Sequence, residues 1–346
     1  SCSFKININQ MTAGQNNSKS VDVFGVGNAM VDILAMVEDD FVKKNDLSKG
    51  GMTLMDAEKQ GHLLRELKHQ SLELSSGGSA ANTMIAIAQS GGKGFYSGKV
   101  SGDTNGEFYR EDLIEAGIGF DVHPTEENHG PTGTCLVLTT PDAERTMCTH
   151  LGVSTNLAPT DIDVDKLAQC KYSYVEGYLW DAPDPKKASI ETMEQSKRLG
   201  VKVAYTFSDL FLVSRFSDDF HKLVSEYCDV VFCNADEVRN FFGSESLEDC
   251  ASKLGEIVGT GFITDGANGC LVVENKKVVN VPGFSAKAID TVGAGDSFAG
   301  GVLYGLTNGL SAQQSARWGN YMASCIVQVH GARLDKSMAG KVAEIV

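Results

Sequence analysis

The chain has 346 residues, enough for about two domains or one large α/β unit with a sizeable core. A formal net charge of −15 repels nucleic acid and anionic membrane and argues against both as partners. Nine scattered cysteines with no Cys-x-x-Cys pair fit a reducing, cytoplasmic setting, and no uninterrupted apolar run approaches the length of a membrane span.

Residues 1–20 are polar, with Gly, Gln, Asn and Ser dominating Thr12–Ser20, and are expected to form a poorly ordered tail. Val21–Gly27 reads as a first buried strand. Leu34–Leu54 is mixed and carries a Gly-Gly pair. Ala80–Ser90 reads as a helix that Gly91-Gly92 ends. Gly94–Val100 is strand-like and Asn105–Ala116 helical. Thr134–Thr139 and Arg145–Thr149 are two β-like runs joined by Pro-Asp-Ala-Glu, a hairpin signal of the kind that often makes a lid. Tyr172–Val175 and Val201–Tyr205 are strands around a charged helix near Lys186–Arg198. Asp229–Cys233 and Gly261–Thr264 are further strands, with a helix over Ala235–Phe242 between them. Two last helices run near Ala294–Leu306 and Ala312–Val329. This alternation predicts an α/β fold with a mainly parallel sheet.

The chain has no P-loop, and Gly25-Val-Gly27 lacks the third glycine of the dinucleotide fingerprint, where Met30 stands. Asn28 and Asp32 follow the first strand, where ligands of open parallel sheets bind. There they suit a polyol, although a turn explains them equally well. The small-residue run Ser76–Asn82 would let a substrate approach the backbone at Gly77 and Gly78, with Asn82 in the first helical turn; an ordinary cap by Ser79 is the plainer account. Asn234 and Glu237 have capping-box spacing, and Glu237 also suits Mg²⁺ through bound water. Thr264, Gly266 and Gly269 belong to a turn after a strand and point to a nucleotide only in company with other motifs.

Residues 290–301 read Asp-Thr-Val-Gly-Ala-Gly-Asp-Ser-Phe-Ala-Gly-Gly. Small residues before an apolar helical run leave backbone N–H groups uncovered at a helix N-terminus, a ready site for an anion. Asp296 sits beside it, where a general base for phosphoryl transfer is needed. A glycine turn with an acidic residue favoured by the helix dipole would carry the same letters.

Taken together, Gly77–Asn82 and Asp290–Leu303, with Asn234–Glu237 and Thr264–Gly269 in order between them, resemble the two signatures of the ribokinase-like (PfkB) carbohydrate and nucleoside kinases. The resemblance spans about Val21 to Arg333. It implies a doubly wound, mainly parallel sheet flanked by helices, with a small β lid from segments about 33–56 and 119–151 inserted in a kinase domain over 21–346. It also implies ATP and Mg²⁺, and it allows a monovalent cation such as K⁺ and either a monomer or a homodimer. Asp296 would be the base, and the amides of Gly293, Ala294 and Gly295 the anion hole. Asn28, Asp32, Gly77, Gly78 and Asn82 would hold the substrate, Glu237 would organise Mg²⁺, and Asn234, Thr264, Gly266 and Gly269 would line the nucleotide site.

Gly27–Asp32 and the pair Thr132–Cys135 and Arg145–Met147 are most similar to the adenosine-kinase-like members. On that match Thr134 and Arg145 belong to the lid and bind the substrate, and Arg145 reaches phosphate or closes over the substrate. Tyr178 or Trp180 stands where a base-stacking aromatic is expected. The expected reaction is transfer of the ATP γ-phosphoryl group to a ribonucleoside, adenosine foremost. A sugar kinase is the alternative, and a catalytically silent ligand-binding member a more distant one.

Overall fold

The computed structural model describes residues 19–346; of the tail expected over residues 1–20, residues 1–18 lie outside the described residues. Among the described residues the strands are β1 (Val21–Val26), β2 (Met30–Met36), β3 (Met52–Leu54), β4 (Glu73–Gly77), β5 (Gly94–Ser97), β6 (Ile118–Phe120), β7 (Gly133–Thr139), β8 (Arg145–His150), β9 (Cys170–Glu176), β10 (Lys202–Thr206), β11 (Val230–Asn234), β12 (Thr260–Thr264), β13 (Cys270–Glu274) and β14 (Lys277–Val281).

Nine of them form one sheet in the order β14-β13-β12-β11-β10-β9-β1-β5-β6. From β6 to β12 every pairing is parallel, and β13 and β14 add an antiparallel edge. Strands such as β1 and β9 are buried almost throughout because helices cover both faces, which explains their near-continuous apolar runs. Successive residues feed opposite cores. Val23, Tyr96 and Tyr174 pack on one face with Met84 and Phe298. Phe24, Val175 and Tyr205 pack on the other with Met193 and Leu254. This is the doubly wound arrangement.

The helices Ser79–Gln89 and Ala294–Thr307 lie side by side on one face, and glycine sets how closely. A β-carbon at Gly300 would come within 2.5 Å of the Ala86 methyl, and one at Gly301 within 2.8 Å of the Gly319 backbone in the helix Ala312–Ile326. The glycines late in the 290–301 motif therefore serve helix packing, while the earlier ones face the site.

The other five strands form a second sheet in the order β3-β8-β7-β2-β4. β7 and β8 are the expected antiparallel hairpin, with Thr139 opposite Arg145. β2 pairs parallel with β7 and antiparallel with β4. β4 lies outside the two segments from which the sequence led us to expect a lid. The chain passes from β1 in the large sheet to β2 in the small one through Gly27, Asn28 and Ala29 alone, so the two sheets meet at the carboxyl end of β1. Asp32 consequently sits within a strand and not in a turn. Among the described residues no helix is long and apolar enough to cross a membrane.

Candidate active site

The seam between the sheets holds a cavity of about 600 Å³. Its floor is built from two helix starts. Gly78 (φ 99°) precedes the helix Ser79–Gln89, and Gly293 (φ 81°) precedes Ala294–Thr307. Both are in conformations that favour glycine and carry no side-chain cap of their own; the Glu176 carboxyl takes the Ala80 N–H of the first helix, while the second helix start is open toward the cavity. The Ser79 hydroxyl donates to Asp296 Oδ1 at 2.6 Å and joins the two helix starts.

Among the described residues no hydrogen bond engages the N–H of Gly293 or Gly295, whereas the Ala294 N–H reaches back to the Thr291 carbonyl at 3.3 Å. Two of the three amides expected to face an anion are thus free, and the third is held by a long internal bond. Burial pushes the Asp296 carboxyl up to about 6, against the opposing pull of hydrogen bonds from Ser79 and Asn82. A carboxyl of that affinity beside free amides can accept a proton near neutral pH while the amides stabilise an anion.

Asp32 projects from β2 into the same cavity. Its carboxyl rises to about 7, chiefly by burial and partly by the charge of Asp296, with Arg333 and Arg145 pulling the other way. It lies against Gly77, where any side chain would collide with it. Glu176 forms the back wall. It accepts from the Asn28 N–H at 2.8 Å and the Ala80 N–H at 2.9 Å, and burial pushes it up to about 8. These bonds pin the β1–β2 crossing to the start of a helix.

Of the residues expected from sequence, the cavity collects Asn28, Asp32, Gly78, Asn82, Arg145, Tyr178 and Gly293–Asp296. Arg145, at the start of β8, pairs with Asp290 at 2.9 Å, and both side chains are largely buried. Trp180 is not a stacking platform at the site. It packs edge-on against Tyr205 and Phe220 in the core, its indole N–H on Asp219.

Thr134 also departs from expectation. Side chains alternate along β7, so Cys135 and Val137 face the cavity and Thr134 faces the other way. Its hydroxyl bonds the buried Gln60 side chain, whose amide in turn donates to the Thr134 and Cys148 carbonyls at 3.1 Å.

The five nucleotide candidates lie outside the cavity, farther along the same carboxyl edge of the large sheet. Asn234 and Thr264 are partners at the ends of β11 and β12. Asn234 and Glu237 do form the reciprocal capping box, at 2.9 and 2.8 Å. Burial nonetheless pushes the Glu237 carboxyl up to about 7, with Asp209 and Asp236 adding to the effect. Among the described residues no group of three or more His, Cys, Asp or Glu side chains comes together to hold a metal ion; Glu237 alone would suit a hydrated Mg²⁺ whose other ligands are water and phosphate oxygens. Gly266 (φ 54°) turns in open space, whereas Gly269 is fixed by the closely approaching Val281–Gly283 backbone.

Arg333, Glu176, Asp290 and Ser79 are parts of the site that sequence reasoning gave no role of this kind. Their partners lie far off in the chain, so no local spacing marks them.

The description "pfkB family carbohydrate kinase" matches residues 51–338. Adenosine kinase 2 of Arabidopsis thaliana is 27% identical over 333 residues, covering 89% of this chain and 94% of its own length. Among solved structures, adenosine kinase from Sinorhizobium meliloti superposes with a TM-score of 0.85 at 34% identity, covering 94% of this chain and 99% of that one. A probable sugar kinase protein from Rhizobium etli CFN 42 superposes with a TM-score of 0.86 at 32% identity, with the same two coverages of 94% and 99%.

Proposed function

The chain belongs to the pfkB family of carbohydrate kinases and is an ATP-dependent nucleoside or sugar kinase, and from that premise we propose that its acceptor is the 5′-hydroxyl of a ribonucleoside, adenosine foremost. One observation carries the nucleoside reading. The small sheet presents Met30, Leu34, Met52, Leu54, Val137 and Met147 to the cavity beyond Asp32, and Met52 and Leu54 each remain 53% exposed. A free sugar, ringed by hydroxyls, gives such a wall little to cover, whereas a nucleobase buries it.

In this reading Asp296 takes the proton from the attacking hydroxyl, and the free Gly293 and Gly295 amides, at a positive helix end, stabilise charge on the transferring phosphoryl group. Asn28, Asp32, Gly77, Gly78 and Asn82 hold the ribose, and Tyr178 lies toward the base. Asn234, Thr264, Gly266 and Gly269 form the rim along which ATP lies, and Glu237 holds Mg²⁺ through water. When bound, that ion supplies positive charge to the phosphate oxygens. The small sheet acts as the lid of a kinase domain over 21–346, with Arg145 brought over the phosphates as it closes.

A panel assay decides between acceptors. With ATP and Mg²⁺ we expect ADP release with adenosine and not with ribose or fructose; release with the sugars alone would overturn the nucleoside reading in favour of the sugar kinase. No release with any acceptor, by protein that binds ATP, would leave a silent binding protein.

A further inference from the structure

Three successive residues after the last long helix touch both ends of the site. The Gly331 N–H donates to Asp290 Oδ2 at 3.0 Å. Ala332 packs on Gly293, where an added β-carbon would come within 2.8 Å of the Ala332 methyl. Arg333 lines the cavity and reaches across to β4. Its Nη2 donates to the Ser76 carbonyl at 3.0 Å and to Ser76 Oγ at 2.6 Å, and its Nη1 to Asp112 Oδ2 at 3.1 Å. The same Asp112 oxygen accepts from the Ser76 N–H at 2.8 Å and its hydroxyl at 2.7 Å. Every polar group of Ser76 is therefore committed to one clamp.

We propose that Arg333 is the positioning residue of the acceptor end, holding the Ser76–Gly78 wall against Asp32 and facing Asp32 with its charge. This rests on the kinase reading above and goes beyond it, because it links the acceptor site to the phosphoryl site through one short segment.

The register makes the link specific. Asp32 lies opposite Ser75 in the β2–β4 pairing, next to clamped Ser76, and its carboxyl rests on Gly77. If β4 shifts, the Asp32 carboxyl shifts with it. A rigid guanidinium fork suits a clamp of this kind, and a lysine ammonium cannot reproduce its geometry.

The groups facing Asp32 come from several elements: Arg333 from the segment after the last long helix, Arg145 from β8, Asp296 from its helix, Cys135 from β7 and Tyr109 from the helix Thr104–Glu115. Arg333 is the stronger of the two positive influences. Its loss raises the pH needed to ionise Asp32, the form that accepts hydrogen bonds from two hydroxyls.

The test is steady-state kinetics of the full chain with Arg333→Gln and Arg333→Lys against the parent, varying ATP, acceptor and pH. For Arg333→Gln we expect the acceptor KM to rise ~10-fold or more, the ATP KM to stay within about twofold, and the acid limb of kcat/KM to move up by about one pH unit. Arg333→Lys, which keeps the charge, should return the limb toward its parental position and leave the acceptor KM high. An unmoved acid limb and acceptor KM in both variants would overturn the proposal, as would equal losses for acceptor and ATP, the mark of general damage to the fold. The parent's choice among adenosine, ribose and fructose scores the nucleoside reading separately, because the variant-to-parent ratios are read with whichever acceptor the parent turns over.

Discussion

Three carboxyls share one seam, with Asp296 pushed up to about 6, Asp32 to about 7 and Glu176 to about 8, each mainly by burial. Ionising one raises the cost of ionising the next, so the proton equilibria belong to the group and not to single residues. In the proposed mechanism Asp296 is the base and Asp32 a hydrogen-bond acceptor, both deprotonated. We therefore expect kcat/KM to fall as the pH drops through the 7 to 6 range and to steepen toward a slope of two below it. A flat profile between pH 5.5 and 7.5 would remove Asp296 from the base role. Asp296→Asn keeps an oxygen for the Ser79 hydroxyl and loses the basic site. Turnover should drop by roughly 10²–10⁴-fold with the ATP KM little changed, and near-parental turnover would mean that another group takes the proton.

At the scale of elements, the alternation of β7 separates two neighbours that the sequence cannot. Thr134 faces the buried Gln60 and Cys135 faces the cavity. Thr134→Val should strand the Gln60 amide oxygen at a cost of about 1–3 kcal/mol, seen as a lower unfolding midpoint, with the acceptor KM scarcely changed. Cys135→Phe should do the reverse, filling the slot and raising the acceptor KM. If Thr134→Val raises KM and Cys135→Phe does not, the facing of the strand is wrong. The same contrast explains what was legible. Buried strands such as β1, β9 and β11 read out directly because two covered faces leave an unbroken apolar run. The helix Ala235–Phe242 was legible to the residue because its capping box is written locally. β2 was not, because Asp32 interrupts its apolar run, facing the cavity, and it follows β1 too closely for a turn signal. The helices Ala57–Glu66, Ser217–Tyr227 and Leu247–Ile257 and the β13–β14 hairpin also went unread. Asp296 and its glycines were legible as a string. The Arg333 clamp, whose partners Ser76 and Asp112 lie more than 200 residues away, could come only from the fold.

For the molecule as a whole, these carboxyls tie function to stability. Asp32, Glu176, Glu237 and Asp296 all have folded-state values, about 7, 8, 7 and 6, above the ordinary carboxyl value near 4 of an unfolded chain. Between those values the folded state binds more protons than the unfolded one. This contribution to stability is therefore complete at low pH and is lost as the pH rises through 6 to 8. The net charge of −15 acts in the same direction through self-repulsion across the surface. The two causes separate with salt, since surface repulsion is screened within a Debye length of roughly 8–10 Å at moderate ionic strength and buried charges are screened much less. We expect the unfolding temperature of the ligand-free chain to fall from pH 6 to pH 8 and most of that fall to survive added salt. Asp296→Asn should raise the midpoint at pH 8 by about 2 °C while lowering turnover as above, the trade expected where a site holds a buried charge for function. A fall that vanishes in salt, or a variant no more stable than its parent at pH 8, would show that the surface and not the site sets the pH response.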